Sequence, residues 1–438
     1  MFYVNKDTIL DAELLKKMFN RFNIEVAPSI TNYKNYYDGI QAILNKSYSD
    51  SSKPCNKIVT NYCKNIADSY NGYIASPGYI SYKSDEDIEE IMEVLRYNDY
   101  QTEDSQFLLD ALVYGTAAEL MFTDEMGKVR FRLINPRQCF AVYDDSLTGD
   151  LLYFVRFYEA NSWDDNDTYL VDVYSDSAIQ HYSMKGMGGA LTFLGEEAHY
   201  FNQCPANVFS MPDEKAIFEC IIPLQDAINT LLSAEIDDYE AFCDAYMTLE
   251  GLDADTDDIG AMKENRVLLL PEGAKAGWLT KNANDAQVEN ILKRAHDSIY
   301  RVAQCPDFSS ESFVGGVSSG VAIRYRLTGM ENKAATIEGL MKKALQRRVE
   351  LIAGVASLKM GEEVFRDIQI SFKRNIPTDN TDIVNMVNAL KGTVSDATLL
   401  SMIPTVTDID AELEAIKQQK AENMALYGFS TTEEENEE

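Results

Sequence analysis

Gly316-Val317-Ser318-Ser319-Gly320 fits the spacing G-x-S-x-G, in which a serine on a sharp strand-to-helix turn attacks a carbonyl. That chemistry needs a base, and the chain holds three histidines, His181, His199 and His296. All three precede Ser318, whereas elbow enzymes run serine, acid, histidine along the chain. A buried strand should also lead into the serine, and "CPDFSSESFVGG" is polar. A triad in another chain order keeps a hydrolase using Ser318 as an alternative reading. The same glycines could cradle a phosphate, but no Lys-Ser/Thr closes the loop as a P-loop requires, and no flanking βαβ unit is visible.

The acidic residues offer a second candidate. Asp253, Asp255, Asp257 and Glu264 take positions one, three, five and twelve of an EF-hand loop, where carboxylates would surround a calcium ion. Asp258 stands where the turn glycine belongs, and Ile259 comes one place early. The cluster therefore reads first as solvated acidic surface, with weak cation binding as the alternative. Asp144-Asp145 and the run Asp164, Asp165, Asp167 read as turn residues and not as paired catalytic carboxylates. The seven cysteines are scattered with no C-x-x-C pair, which points to a reducing compartment and no zinc site. No metal, cofactor or catalytic residue is expected.

A chain of 438 residues with 45% hydrophobic content is long enough for two or three domains. Its formal net charge of -32 works against tight, sequence-independent gripping of nucleic-acid phosphates, which relies on Lys and Arg releasing counterions. "MFYVNKDTILDAELL" lacks a signal-peptide design, and no apolar run reaches the roughly 18 residues of a membrane span. A soluble, intracellular protein is expected.

The elements that must hold these residues change period along the chain. Helices are expected in "AELLKKMFNRF", "NKIVTNYCKNIADSYNGYI" and "DEDIEEIMEVLRYND", and "EDSQFLLDALVYGTAAELMF" should begin as a helix and run into a strand. "ELMFT" and "KVRFRLI" flank Asp124-Glu125-Met126-Gly127 as a hairpin should. Strands continue through "LLYFVRFYE", "TYLVDVYS" and "AIQHYSM". From Pro212 to Met247 the apolar residues Ile217, Ile221, Leu224, Ile228, Leu231, Ile236, Tyr239, Phe242 and Tyr246 fall near helical spacing, with a bend expected at Pro223. A compact acidic segment with strand-like ends follows. A second helix, Asn284 to Gln304, carries Val288, Ile291, Leu292, Ala295, Ile299 and Val302 on one face, with Asn284 or Asp285 as N-cap. After the glycine-serine loop, a very long helix should run from about Ser319 to Ser357, its stripe including Ile337, Leu340, Met341, Ala344, Leu345 and Ile352. "DIQISFKRN" reads as a strand. Helices follow in "DIVNMVNALKG", "SDATLLSMI" and "DAELEAIKQQKAE", and "STTEEENEE" reads as a disordered tail.

That order of elements, with the words that carry it, resembles the portal (head–tail connector) proteins of tailed bacteriophages, and most closely the group from phages of Gram-positive bacteria. "NKIVTNYCKNIADSYNGYI" is similar to the family's early helix. "DALVYGTAAELMFTDEMGKVRFRLINPRQCFAVYDDS" resembles its Tyr-Gly turn, hairpin and Asp/Asn-Pro-Arg, and "LLYFVRFYE" continues the likeness. "DAINTLLSAEIDDYEAFCDAYMTLEG" looks like a first stem helix entering a clip. "LTKNANDAQVENILKRAHDSIYRVAQCPDFSSESFVGGVSSGVAIRYRLTGMENKA" resembles the second stem helix, the tunnel loop and the start of the long helix, and "SDATLLSMIPTVTDIDAELEAI" the C-terminal helical word. The likeness runs from about Asn56 to Ile416.

The resemblance implies an α+β portal fold: a mixed wing domain, a long-helix stem, a small α/β clip, a tunnel loop and a long kinked helix. The boundaries it suggests are wing 1–212, first stem helix 213–247, clip 248–282, second stem helix 283–305 and tunnel loop 306–319. Residues 320–377 would form the long helix and a wing strand, 378–427 a C-terminal helical part and 428–438 an acidic tail. The function implied is a ring, usually of twelve copies, at one capsid vertex, through which double-stranded DNA passes without sequence specificity and without catalysis. Partners would be the terminase large subunit, head–tail adaptors, and major capsid and scaffold proteins, with no membrane. Assembly would occur in the host bacterial cytoplasm and the product would reside in the virion. The resemblance assigns Ser309, Ser310, Phe313, Val314, Gly315, Gly316, Val317 and Ser318 to the loop facing DNA. Lys293 and Arg294 become a candidate basic ring in the channel, with an ordinary salt-bridge role as the alternative. Asp253, Asp255, Asp257, Asp258 and Glu264 become a candidate docking surface on the clip. A capsid or scaffold protein without a channel is the remaining alternative.

Overall fold

The structure, a computed structural model, describes residues 2–50, 53–160, 167–243, 246–250, 273, 275–279, 285–310, 320–356, 367–374, 380–403, 406 and 409–426. The chain divides into two compact units, Met1–Val314 with Leu327–Asn375, and Gly315–Arg326 with Ile376–Glu438.

The first unit opens with strand β1 (Phe2–Val4) and helix α1 (Ala12–Arg21). The Asp11 carboxylate accepts from the Leu14 N–H at 2.8 Å, satisfying one of the free donors of the first turn. A π-helical turn (Phe22–Val26) leads to α2 (Ala27–Asp38), then α3 (Tyr62–Ile74), β2 (Ile80–Lys83), α4 (Glu89–Tyr97) and α5 (Tyr100–Tyr114). Eight strands follow in succession. They are β3 (Thr116–Thr123), β4 (Val129–Ile134), β5 (Cys139–Asp144), β6 (Leu151–Glu159), β7 (Thr168–Tyr174), β8 (Ala178–Lys185), β9 (Leu191–Ala198) and β10 (Ala206–Ser210). Then come α6 (Ile222–Cys243), β11 (Tyr246–Glu250), β12 (Lys275–Leu279), α7 (Asp285–Ala303), α8 (Gly320–Ala356) and β13 (Gln369–Phe372). In the second unit lie α9 (Asn380–Leu390), α10 (Asp396–Ser401, capped by Ser395) and α11 (Ile409–Leu426), with α10 packed on α11.

Alternation along the strands builds two cores on one sheet. Strands β1-β5-β6-β7-β8-β9 form a six-stranded sheet in that order, antiparallel except for the parallel β1–β5 pair. Successive side chains of a strand point to opposite faces. Val155 and Phe157 of β6 therefore join Phe140 and Val142 of β5 against Leu15, Met18 and Phe19 of α1. Phe140 meets Phe2 and Phe19 edge-on, with ring centroids 5.1 and 5.3 Å apart. Phe154, one residue out of phase, turns to the other face and packs with Ala141, Tyr174, Ala118, Leu120 and Ala206. That second core belongs partly to the three-stranded sheet β10-β3-β4.

The expected hairpin is β3–β4, closed by a bond from the Asp124 N–H to the Lys128 carbonyl at 3.0 Å. The Tyr-Gly turn is present as well. Helix α5 stops at Gly115, whose φ of +81° is left-handed and whose missing Cβ would lie 2.2 Å from the Glu214 carbonyl oxygen. Only glycine lets the backbone of 211–217 come this close. Asp144, read as a turn residue, is instead the last residue of β5, opposite Val4, and its buried carboxylate accepts from the Ser146 N–H at 2.9 Å as the chain leaves the strand. Pro223 does not bend a helix. It occupies the second position of α6, where its missing N–H has no partner to lose.

Helix α8 crosses the core of the first unit, burying Met330, Ala334, Ile337, Met341, Leu345, Val349 and Ile352. Arg348 on the same helix is wholly buried. Its guanidinium forks onto Glu119 of β3, Nε to Oε1 and Nη2 to Oε2 both at 2.8 Å, and Nη1 pairs with Asp104 of α5. The Phe131 ring centre lies 4.5 Å from it. Tyr82 of β2 donates to Asp104 at 3.1 Å, and the Asn207 amide of β10 donates to Glu119 at 2.6 Å and to the Ala344 carbonyl at 2.9 Å. One buried cation thus ties together α5, α8 and the four strands β2, β3, β4 and β10. Burial pushes the Asp104 carboxyl up against the pull of Arg348, and its pKa stays above the ordinary 3.8.

Candidate functional site

The residues singled out by sequence fall on α6, α7 and the segments beyond them, and α6 packs on α7. Strands β11 and β12 pair antiparallel, Tyr246 opposite Leu279 and Glu250 opposite Lys275, so the acidic segment does have strand ends. Asp253, Asp255, Asp257, Asp258 and Glu264 lie outside the described residues, as do Asn284, Phe313, Val314, Gly315, Gly316, Val317 and Ser318. Among the described residues no group of three or more His, Cys, Asp and Glu is placed to hold a metal.

Helix α7 begins at Asp285 and shows Lys293 and Arg294 to solvent. Its expected apolar stripe is only partly used within one copy. Ile299 is fully buried, whereas Ile291 and Val302 are 43% and 46% exposed. The contrast on α6 is sharper. Ile236 and Tyr239, two of the apolar residues at helical spacing, are 38% and 72% exposed, while the buried side of the helix carries Gln225, Asn229, Ser233 and Asp237 beside Ile228. Those four acceptors take the backbone N–H groups of Tyr62, Thr60, Ile58 and Asn56 at 2.8, 3.0, 2.9 and 2.6 Å. Sequence reasoning missed them, although their four-residue spacing was visible.

The C-terminal end of α7 is held firmly. A helix leaves its last carbonyls without internal partners, and here the Tyr70 hydroxyl of α3 donates to the carbonyls of Ala303 and Gln304 at 3.0 and 3.1 Å. Tyr62, at the start of α3, packs edge-on against His296 and Tyr300, with centroids 5.6 and 6.0 Å apart. Burial raises the pKa values of Tyr62, Tyr70 and Tyr300, and pushes the Cys305 thiol up to about 12. These groups stay neutral. Beyond them Asp307 forms a tight turn: its carboxylate accepts from the Ser309 N–H at 3.0 Å and the Ser309 hydroxyl at 2.6 Å, and its carbonyl accepts from the Ser310 hydroxyl at 2.8 Å. Ser309 and Ser310 are therefore structured residues at the root of the loop.

The histidines have structural partners. His181 Nδ1 lies 2.8 Å from Asp172. His199 donates from Nε2 to the Ser175 carbonyl at 3.1 Å and accepts the Phe201 N–H at Nδ1. His296 Nε2 is 3.7 Å from Asp307.

The long helices, the strand-ended acidic segment between α6 and α7 and the structured loop root occur in the order that the sequence words suggested. The family described as "Phage portal protein, SPP1 Gp6-like" matches residues 20–425. The chain belongs to this family of phage portal proteins. A curated relative, the portal protein of Bacillus phage SPP1, is 20% identical over 327 residues, covering 70% of this chain and 65% of the relative's length. Portal proteins are structural and not enzymatic, so the family gives the G-x-S-x-G spacing around Ser318, outside the described residues, no nucleophilic role. The family's proteins are virion components, and among the described residues no helix is long and apolar enough to cross a membrane.

Proposed function

We propose that the chain is the subunit of a closed ring, of about twelve copies by family resemblance, that forms the DNA channel at one capsid vertex. The observation that carries this reading, beside the family match, is the set of apolar side chains left open on α6 and α7: Ile236, Tyr239, Ile291 and Val302. Two long helices with uncovered apolar residues suit a neighbour on each side. A head-to-tail contact that closes on itself gives a ring. The net charge of -32 suits a conduit, because negative walls repel phosphates and let a duplex slide.

In this reading residues 1–212 form the wing, 213–247 and 283–305 the stem, 248–282 the clip, 306–319 the tunnel loop, 320–377 the long helix with a wing strand, and 378–427 the crown-side helices. The terminase large subunit docks on the clip near Asp253, Asp255, Asp257, Asp258 and Glu264 during packaging, and head–tail adaptors replace it afterwards. Major capsid and scaffold proteins surround the ring, which assembles in the host cytoplasm. Lys293 and Arg294, exposed on α7, form a basic ring that softens the repulsion of DNA. The loop from Ser309 to Ser318 faces the duplex.

Light scattering and negative-stain images of the purified full-length protein test the ring. Closed rings with an axial hole are expected. Monomers or dimers across a wide range of concentration and salt would overturn it, and compact assemblies without a hole would favour a capsid or scaffold role instead.

A further inference from the structure

Two residues of extended chain advance about 6.6 Å, and four residues of α-helix about 6 Å. Alternate amides of an extended segment can therefore keep step with every fourth side chain of a helix. Residues 56–62 and α6 use this match over four successive rungs, Asn56–Asp237, Ile58–Ser233, Thr60–Asn229 and Tyr62–Gln225. The two chains run antiparallel. From Asn229 to Asp237 the helix covers roughly 12 Å, and from Asn56 to Thr60 an extended chain covers roughly 13 Å, before Asn61 turns left-handed and Tyr62 enters α3.

The helix side of each rung is buried and the strap side half-buried, and the remaining polar groups are met by one another and by Gln41 and Lys46. The Gln225 amide donates to the Thr60 hydroxyl at 2.8 Å and to Asn229 at 3.0 Å, and the Asn229 amide donates to Gln41 at 2.6 Å. Lys46 pairs with Asp237 at 2.5 Å. Such a ladder has one register. One helical turn beyond its ends stand Ile221 and Ala241, whose side chains accept nothing, so a slip of α6 by one rung strands a buried amide.

The strap also leads somewhere. It ends at Asn61, in left-handed conformation, which caps α3. Helix α3 then holds the end of α7 through Tyr62 and Tyr70, as described above. We infer that residues 56–62 are a register strap that fixes the axial position of α6 and couples it, through α3, to the Asp307 turn at the end of α7. This inference concerns the single chain and stands apart from the ring reading.

Hydrogen exchange with mass-spectrometric readout on the full-length protein tests it. In the wild type, peptides covering 56–62 should exchange far more slowly than the same residues in the urea-unfolded chain, although they form no β-ladder. Ser233→Ala and Ile58→Pro remove the same rung from opposite sides. Each should speed exchange at the remaining strap amides by about tenfold, and should speed exchange across 304–310 as well. The double variant should do no more than either single one. Exchange in β6 to β8 should not change, and Thr230→Ala, on the exposed face of α6, should leave both segments at wild-type rates. If Ser233→Ala loosens the whole unit, Ser233→Thr, which keeps the acceptor oxygen, must restore protection. The inference fails if the wild-type strap is unprotected, if 304–310 does not respond, if Thr230→Ala has the same effect, or if threonine does not rescue.

Discussion

Arg348→Met is the most demanding test of how the first unit is held together. Methionine roughly keeps the volume and removes the charge, leaving Asp104 and Glu119 in the core, at 1% and 0% exposure, with the Tyr82 hydroxyl and the Asn207 amide as remaining donors. Removing one partner of a buried ion pair costs about 3–5 kcal/mol. With an unfolding entropy of about 2.1 cal/mol/K per residue over some 360 residues, that is a fall in Tm of roughly 4–7 °C. The deficit should depend on pH with a definite sign. Burial raises the Asp104 carboxyl even in the wild type. Without Arg348 the Asp104 carboxyl takes up its proton at higher pH in the folded chain than in the unfolded one. The folded state then binds more protons above about pH 4, so stability falls as pH rises through that window. The variant should thus lie closest to wild type near pH 4.5 and furthest from it near pH 7. Adding Asp104→Asn and Glu119→Gln should recover at least half of the loss. Calorimetry at the two pH values measures all of this. A Tm within about 1 °C of wild type at neutral pH, or a deficit that grows on acidification, refutes the reasoning.

Gly115→Ala should destabilise by more than about 3 kcal/mol, because the new Cβ meets a backbone oxygen at a left-handed φ. Gly72→Ala, in α3 with nothing within 4 Å of the new atom, should stabilise by about 0.5–1 kcal/mol, and urea unfolding compares the two. Burial tends to raise the Asp237 carboxyl, but Lys46 and the Asn56 donors outweigh it and hold its pKa at about 2. The stability this provides is present above the ordinary 3.8 and is lost as pH falls through about 2. Asp237→Asn should therefore flatten the acid limb between those values, seen by circular dichroism, and an unchanged slope would count against it. Under the ring reading, Gly315→Pro with Gly316→Pro should leave ring yield intact and shorten the packaged genome, and normal packaging would reduce the loop to a passive connector.

The parts of the fold that sequence made legible depend on local signals. Asp124 to Gly127 makes its own turn, Gly115 carries a conformation that other residues resist, and α8 is long enough for its stripe to stand out. What was missed depends on partners far along the chain. Helix α2 buries Ile30, Tyr33 and Tyr36, but a tyrosine-rich, polar stretch gives a weak periodic signal. Strand β1 is only three residues and gains its identity by lying parallel to β5. Arg348, in "KALQRRVEL", looks like surface until Asp104 and Glu119 arrive from more than two hundred residues away. Helix α6 misled in an informative way. Its apolar residues stand at helical spacing, yet within one copy only Ile228 among the described ones of α6 is fully buried, and most of the buried face is polar, because residues 56–62 supply amides to satisfy it. The spacing of Gln225, Asn229, Ser233 and Asp237 carried that information, but a four-residue polar repeat normally reads as a wet surface.

Strand β2 pairs with β13, Ile80 opposite Phe372 and Lys83 opposite Gln369, across a gap of roughly 290 residues. At a ribosomal rate of about 5–20 residues per second, the partner strand arrives about 15–60 s after β2 has been made. Through that interval Ile80 and Tyr82, buried in the finished protein at 5% and 7% exposure, have an open strand edge beside them and no cover from Ile370. Exposed edges of this kind recruit other chains. Synthesis of this protein thus has a window of vulnerability set by topology and not by final stability, and many copies translated at once from one message would pass through it side by side.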